Sequence, residues 1–318
     1  MDIYIFFINS YLFIFLNETI FYTLISLFIV ERVISLWDIN DPEKKQYFLY
    51  IPLILPPLSF FFYELFAPFR RYVSFREFII LDINSILFFK ILNFYPFFYL
   101  FLLLIIISTL VFIIQEIIPL FYYKVNKIED EHDLKTNSYK NNDIIENILK
   151  ELNINNIEIE ILEDSNIVIF SIAGDKDKII LSKAVISLLN SEELKAVIAH
   201  ELAHIKRNKS YILILLYIFR ALQFYNPISL ILFRRIVNIE EMLCDKLALK
   251  KIDNPKVLAK ALYKLFIKYG EFDDDFERKK ILARIKFLRF NSWNKVRFFH
   301  VKIFFAIILI LLINLFVI

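Results

Sequence analysis

Glycine and cysteine are almost missing from this sequence of 318 residues. It has two glycines and neither a GxGxxG nor a GxxxxGK pattern, which excludes the common glycine-rich loops that bind nucleotide phosphates. Its single cysteine, Cys244, excludes a disulfide within the chain and is typical of a reducing compartment. The net charge of +3 is too small to indicate nucleic-acid binding. We therefore expect neither a nucleotide nor a nucleic acid among its partners.

Apolar residues are the abundant class, at 58% of the chain, with a mean hydropathy of +0.56. This is more apolar side chain than one soluble core of this length could bury. Four apolar runs, at about 3–30, 48–69, 96–122 and 300–318, approach or exceed the roughly 20 residues that a bilayer-crossing helix needs. We predict an α-helical multi-pass membrane protein whose spans contact the lipid bilayer.

A large polar region, 124–299, separates the third apolar run from the fourth and holds most of the lysines and arginines. By the positive-inside tendency we expect it in the cytoplasm, between an N-terminal membrane domain (1–123) and a C-terminal span (300–318) in the cell membrane. Residues 77–93 interrupt an apolar pattern with polar side chains and are expected to form an interfacial helix. A further span there is the alternative, and it would change the side on which the N-terminus lies.

The polar region is expected to fold as an α+β domain. Segments 157–162, 166–174 and 177–185 have the alternation of apolar and polar residues that predicts strands. A helix then opens at Asn190 or Ser191, either of which can cap it, and acidic residues suit its first turn.

The segment VIAHELAHIKRN, residues 197–208, lies on this helix. His200 and His204 are four residues apart, so both imidazoles project from one face, which is the geometry for holding one metal ion. Glu201 lies beside the first histidine, where it can take a proton from the attacking water without being a ligand. The alternative is a chance HExxH pattern on a helix that packs in the core.

A hydrolytic zinc site needs a third protein ligand and an open fourth position. Downstream, the segment NIEEMLCDKLAL puts Glu241 and Asp245 four residues apart on a predicted helix, and therefore on one face. Glu241 could complete the coordination, and Asp245 could accept the free ring N–H of a ligand histidine. The alternative is a solvated acidic face that balances the nearby lysines, Lys246, Lys250 and Lys251.

Three motifs in a fixed order resemble the peptidase domain of the BlaR/MecR-type membrane metallopeptidases, the antibiotic-sensing regulators. They are HELAHIKRN, then YNP at 225–227, then EMLCD at 241–245. The resemblance covers about 167–289 and includes the later ARIKFL. HExxH alone is shared by many zinc peptidases, and the ordered set is much more specific.

The resemblance implies a zinc endopeptidase of the Glu-ligand class, with a zincin-like domain inserted between the spans and an active site in the cytoplasm. His200, His204 and Glu241 would bind Zn²⁺, and Glu201 would be the catalytic base.

The sequence departs from the family at two places. Lys209 stands where an Asp usually follows the second histidine, which puts a local structural contact in doubt. The chain also ends at Ile318, where the antibiotic receptors continue into a penicillin-binding sensor domain. We therefore expect that recognition of β-lactams does not carry over to this chain.

The apolar segment 211–236, between the two ligand-bearing helices, is predicted to form two shorter helices broken at Asn226. Tyr225 and Asn226 could line the site, and the helix break explains them equally well. A peptide substrate is expected to lie along an edge strand near 167–172. The basic stretch 277–302 is predicted to face anionic lipid.

The leading hypothesis is a regulatory, signal-transducing membrane zinc endopeptidase that cleaves a cytoplasmic or membrane-proximal protein, with a transcriptional repressor as a candidate partner. One alternative is a housekeeping metalloprotease of the HtpX or CAAX-endopeptidase type. The YNP motif and Cys244 favour the first. Another alternative is a non-catalytic signal transducer that retains the metal fold. Glu201 argues against it, because a structural metal site has no use for a base.

Overall fold

The structure, a computed structural model, is mostly helical with one small sheet. It describes residues 10–92, 94–119, 136–137, 143–154, 156–174, 176–208, 211–252, 254–269, 275–290 and 296–318.

The chain divides into two compact units. The first unit is Met1–Asn126, Ile214–Ile236 and Asn294–Ile318, and the second is Lys127–Leu213 and Val237–Trp293. Residues 214–236 therefore belong with the first unit, whereas the sequence had placed the whole of 124–299 in one domain. The reason is their apolar composition, which gives them more contacts with the N-terminal helices than with the polar region.

The first unit contains helices of membrane-spanning length. Its helices up to residue 112 are α1 (Tyr11–Leu36), α2 (Pro42–Phe66), α3 (Val73–Arg76), α4 (Ile83–Leu87) and α5 (Pro96–Phe112). A π-helical turn, Ile113–Ile117, extends α5. With that extension, α1, α2 and α5 are each long and apolar enough to cross a membrane. Residues 3–9 of the first predicted span and 120–122 of the third lie outside the described residues.

Helix α2 contains three internal prolines, and one of them explains a contact within the unit. Pro57 has no N–H, so the carbonyl oxygen of Leu53 loses its partner in the helix. The side-chain amide of Gln223 donates to that oxygen at 2.8 Å. A side chain of the same unit thus satisfies the carbonyl that proline leaves free, as buried and membrane helices require.

The single interfacial helix predicted over 77–93 is absent, and only the five-residue α4 forms there. Backbone pairing replaces the helix: the N–H of Ile80 donates to the oxygen of Phe316, and that of Ile318 to Leu81. The side chain of Asp82 then caps α4 by accepting from the N–H of Ser85 at 3.0 Å. Five residues are too few to cross a bilayer as a helix, so the described residues of this segment do not support the alternative of a span.

The second unit contains a four-stranded sheet of order β1-β2-β4-β3. Its strands are β1 (Thr136–Asn137), β2 (Ile157–Leu162), β3 (Ile169–Ile172) and β4 (Asp177–Ser182). Strand β2 runs parallel to β4, and the other two pairs are antiparallel. Strand β3 is therefore an edge strand.

Helices α6 (Asp143–Glu151), α7 (Lys183–Leu188) and α8 (Ser191–Asn208) belong to the second unit. Asn190 and Glu193 form a capping box at the start of α8, each accepting from the backbone N–H of the other at 2.8 and 3.1 Å. Helix α8 buries an apolar stripe in the unit's core; its members are Leu194, Val197, Ile198, Leu202 and Ile205.

Helices α9 (Tyr211–Leu222) and α10 (Pro227–Ala248) follow, with the predicted break between them. The side chain of Asn226 accepts from the N–H of Ile228 at 3.1 Å and so caps α10 at its start. Helix α10 continues without interruption to Glu241, the predicted third metal ligand, and to Asp245, the predicted hydrogen-bond partner of a ligand histidine.

The remaining helices are α11 (Pro255–Leu262), a π-helical continuation (Tyr263–Lys268), α12 (Asp275–Phe290) and α13 (Phe299–Leu315). Helix α11 packs on α8 and on α12 in the second unit, and residues of all three belong to its core. Helix α13 is apolar and lies within the fourth predicted span, but it is shorter than α1, α2 and extended α5.

Candidate metal centre

Helix α8 brings His200, Glu201 and His204 to one place. The Nε2 atoms of His200 and His204 lie 3.1 Å apart, because a spacing of four residues puts both rings on one face. His200 is 6% exposed and Glu201 is 8% exposed, so both side chains are largely removed from water.

Helix α10 contributes Glu241 to the same place. Its Oε2 atom lies 3.6 Å from Nε2 of His200, and its Oε1 atom lies 3.4 Å from Nε2 of His204. One ligand atom from each of the three side chains falls within 4.8 Å of the others. The structure thus brings together the three residues that the sequence predicted as ligands.

These separations suit a bound metal ion. An ion bonded at about 2.1 Å to tetrahedrally arranged donors holds those donors about 3.4 Å apart. The observed separations of 3.1, 3.4 and 3.6 Å lie on either side of that value. The His-His-Glu cluster could therefore hold a metal ion.

Asp245 lies one turn after Glu241 on α10 and is completely buried. Its Oδ1 atom lies 2.9 Å from Nδ1 of His200, the ring nitrogen opposite the one that faces Glu241. This position suits the predicted role of orienting the ring. Its burial excludes the alternative of a solvated acidic face, and the neighbouring Glu240 is paired with Arg207.

Arg284 on α12 is a member of this cluster that sequence reasoning missed. Its Nε and Nη2 atoms donate to the two carboxylate oxygens of Asp245 at 2.9 and 2.7 Å. Its Nη1 atom lies 3.0 Å from Oε2 of Glu241, and Nη2 lies 3.2 Å from Nε2 of His200. Its guanidinium therefore balances the buried carboxylate of Asp245 and the partly exposed one of Glu241.

A signal for Arg284 was present in the sequence. Within the basic stretch 277–302, read as lipid-facing, Ile281, Ile285 and Leu288 recur at helical spacing, and they pack in the core of the second unit. Arg284 lies on this apolar face and is 7% exposed, so this part of the stretch does not face lipid.

The charges of the cluster shift its pKa values. Burial and the Arg284 charge oppose protonation of His200, but Asp245 and Glu241 outweigh them and raise the pKa of His200 to about 9. Burial alone would raise the pKa of Glu241, but the nearby rings of His200 and His204 and the Arg284 charge hold it well below its ordinary value. Glu241 is therefore ionised at neutral pH and available as a ligand.

Cys244 lies beside the cluster, with Sγ 3.5 Å from Nδ1 of His204. Burial raises the pKa of its thiol, and the charges of Glu241 and Glu240 raise it further. The thiol is completely buried and stays protonated at neutral pH, so it is not a nucleophile there.

The cluster opens into a cavity of about 310 Å³ within the second unit. Edge strand β3 forms one wall, and α11 with its π-helical continuation forms the other. The lining residues are Ile169, Phe170, Ser171, Val197, His200, Glu201, His204, Glu241, Leu258, Leu262, Leu265, Phe266 and Arg284. The site therefore combines ionised groups with an apolar wall and access for a ligand.

The structure places Tyr225 and Asn226 in the first unit, where both are buried. The hydroxyl of Tyr225 lies 2.7 Å from that of Thr19, and the amide of Asn226 donates to Thr23 at 3.0 Å. Their role as site-lining residues stays a prediction. Lys209, where the sequence departs from the family pattern, lies outside the described residues.

Comparison with protein families matches residues 90–284 to the family described as BlaR1 peptidase M56. The match covers more than half of the chain and contains the whole cluster, from His200 to Arg284. It confirms the family that the ordered motifs predicted. No curated protein matches the chain.

Proposed function

Because the chain belongs to the BlaR1 peptidase M56 family, we propose that it is an integral membrane zinc endopeptidase with a zincin-like catalytic domain. The observation that carries this proposal is the His-His-Glu cluster beside Glu201, in a cavity with room for a polypeptide segment. Two imidazoles and one carboxylate are a ligand set that zinc takes in hydrolases, with one position left open.

Zn²⁺ held by His200, His204 and Glu241 would supply a Lewis acid that polarises a carbonyl group and acidifies water. Glu201 lines the same cavity, and the carboxylates that pair with Arg284 are those of Glu241 and Asp245. Its carboxylate would take the proton of the attacking water and return it to the amine that leaves. This exchange of one proton is the chemistry that peptide-bond hydrolysis requires of a side chain.

Asp245 and Arg284 would position the ligands. Asp245 would hold the Nδ1 side of His200, so that Nε2 keeps its lone pair for the metal. Arg284 would fix the carboxylates of Asp245 and Glu241 and lower the repulsion between them. Without the guanidinium, the buried carboxylate of Asp245 would lose its cationic partner and the Glu241 carboxylate nearby would add repulsion, which costs stability.

The substrate would be an extended polypeptide added to edge strand β3. The N–H of Ser182 donates to the oxygen of Val168, so by the antiparallel alternation Phe170 and Ile172 point their backbone groups toward β4. Ile169 and Ser171 then present theirs to the cavity side, where they can bond a peptide backbone.

The membrane helices and the family suggest where the enzyme would act. Helices α1, α2 and extended α5 would be spans, and α13 would be a fourth. The excess of lysine and arginine in 124–299 favours a cytoplasmic position for the site. We infer that cleavage is regulatory and acts on a cytoplasmic or membrane-proximal protein. A transcriptional repressor is the candidate that the family supports.

Proteolysis by the purified full-length chain in detergent tests the proposal. We expect it to cleave a chemically unfolded model protein, to lose activity with a zinc chelator and to regain it with added zinc. Activity that survives complete removal of metal would contradict the assignment of a metallopeptidase.

A further inference from the structure

We propose that the substrate extends beyond the metal centre into a second cavity, which binds an uncharged polar stretch of polypeptide on the C-terminal side of the scissile bond. This inference rests on the proposed function. It makes the enzyme selective for long, extended polypeptides over short peptides.

The second cavity measures about 620 Å³ and lies wholly within the second unit. Two residues of the π-helical continuation, Leu265 and Phe266, line both this cavity and the first one. The two cavities are therefore neighbours along one groove, on either side of that pair of side chains.

The groove follows the edge of the sheet. The first cavity is lined by Ile169 and Ser171, and the second by Ile167 and the two residues before it. By the alternation set at Val168, the backbone groups of Ile169 and Ser171 point to the groove side, and Ile167 precedes them in the segment that leads into β3. An extended peptide rises about 3.3 Å per residue, so the four steps from Ile167 to Ser171 correspond to about 13 Å. A peptide bonded to Ile169 and Ser171 and continued as far as Ile167 would reach from one cavity into the other.

The direction of the peptide follows from the stability of pairing. Antiparallel pairs are the more stable kind, so a peptide added to β3 would run opposite to it. Its residues then advance from the end near Ser171 toward the end near Ile167. With the scissile bond at the metal centre, the part C-terminal to that bond enters the second cavity.

The residues that line the second cavity determine which peptide side chains it would bind. Its hydrogen-bonding side chains are Ser165, Asn166, Ser187 and Tyr269, and none of the described residues that line it is charged. The Nζ of Lys268 lies 4.8 Å from the ring centroid of Tyr269, which disfavours a cationic side chain nearby. Hydroxyl and amide groups suit neutral polar partners, whereas an ionised side chain would lose hydration without a counter-ion.

Peptide binding to the Glu201→Gln variant tests the subsite without any cleavage. The probes are acetylated and amidated peptides: Ala-Leu-Leu-Ala, the same peptide extended by Ala-Asn-Ala-Ser at its C-terminal end, and the same extension at its N-terminal end. We expect the C-terminal extension to tighten binding about tenfold, since remote contacts add binding free energy. Replacing its Asn by Lys should remove most of that gain.

Two tryptophan variants test whether the gain in peptide affinity comes from the second cavity. Ser187→Trp on α7 should fill the second cavity and abolish the gain from the C-terminal extension while leaving affinity for the short peptide unchanged. Asn147→Trp on α6, also at an exposed helical position, is the control and should change neither. An equal gain from both extensions, or a gain that survives Ser187→Trp, would overturn the proposal. Length-dependent binding with no cleavage by wild type would instead contradict the proposed peptidase activity and leave the subsite supported.

Discussion

In the first unit, the buried side chains of Glu18, Tyr22 and Arg70 bond one another: Arg70 donates to the hydroxyl of Tyr22 at 2.6 Å, and that hydroxyl donates to Glu18 at 2.7 Å. Arg70 also donates to the backbone oxygens of Leu315 and Val317. In the second unit, the buried side chains of His200, Asp245 and Arg284 are linked in a similar way, but they border an open cavity.

The difference lies in where the polar atoms point. Arg70 donates its N–H groups to carbonyl oxygens at and just after the C-terminal end of α13. These hydrogen bonds cap the helix and stabilise its end inside an apolar unit. In the second unit, Nε2 of both histidines and the Glu241 carboxylate converge on one point beside the cavity. Burial of charged groups alone therefore does not identify a candidate active site. The convergence of several ligand atoms beside an accessible cavity does.

Substitution of Glu201, the proposed catalytic base, should give the largest effect. Glu201→Gln keeps the shape of the side chain and removes its ability to take a proton, so kcat should fall by about 10² to 10⁴. Glu18→Gln, the matched change in the first unit, should leave kcat near the wild-type value. Equal losses in the two variants, measured on one unfolded model protein, would refute the contrast between the units.

Removal of one carboxylate from each cluster should separate stability from metal binding. Asp245→Ala leaves Arg284 buried beside a cavity without its main partner and should lower the free energy of unfolding by about 3 to 5 kcal/mol. Glu18→Ala should cost less, because carbonyl oxygens still hold Arg70. Chemical unfolding in detergent measures both losses. Zinc affinity should fall only for Asp245→Ala, and a matching fall for Glu18→Ala would contradict the comparison.

Arg284→Lys tests whether the guanidinium of Arg284 positions the metal ligands of the second unit. Lysine keeps the charge but cannot bond Asp245 through two nitrogens while reaching Glu241, so zinc affinity should fall by about 10- to 100-fold. Arg289→Lys, at an exposed position of the same helix, is the control and should change nothing. Competition with a fluorescent zinc chelator gives both affinities. An unchanged Arg284→Lys affinity would show that the ligands are positioned without the guanidinium.

The change in zinc affinity per pH unit should be the smallest of these effects. In the metal-free protein the pKa of His200 is raised to about 9, so the ring is protonated at neutral pH and zinc must displace that proton. Affinity should therefore rise by about tenfold per pH unit from neutral pH up to about 9 and then level off. Titration calorimetry in buffers of different ionisation enthalpy counts the released proton. No release at pH 7.5 would contradict the raised pKa.

Local helical spacing is what made most of the cluster predictable. His200, Glu201 and His204 lie within two turns of one helix, and Glu241 and Asp245 lie four residues apart on another, so the 3.6-residue period places each set without knowledge of the fold. The break at Asn226 followed from Pro227 in the same way.

Contacts between distant parts of the chain were not predictable by this reasoning. Arg284 donates to Asp245, which lies 39 residues earlier in the sequence. Nothing in the local sequence of the basic stretch indicates that one of its arginines pairs with this residue. The helix expected over 77–93 gives way to pairing of Ile80 and Leu81 with the C-terminal residues, a partner that periodicity cannot reveal. Tertiary contacts override local pattern at both places.

Zinc content of the purified chain tests the central claim most directly, namely that His200, His204 and Glu241 together hold the catalytic metal. We expect about one zinc per chain in wild type and in Glu201→Gln, and loss of that zinc in Glu241→Ala and in His200→Ala. Full zinc content in Glu241→Ala would contradict the account, because the third ligand would then lie elsewhere.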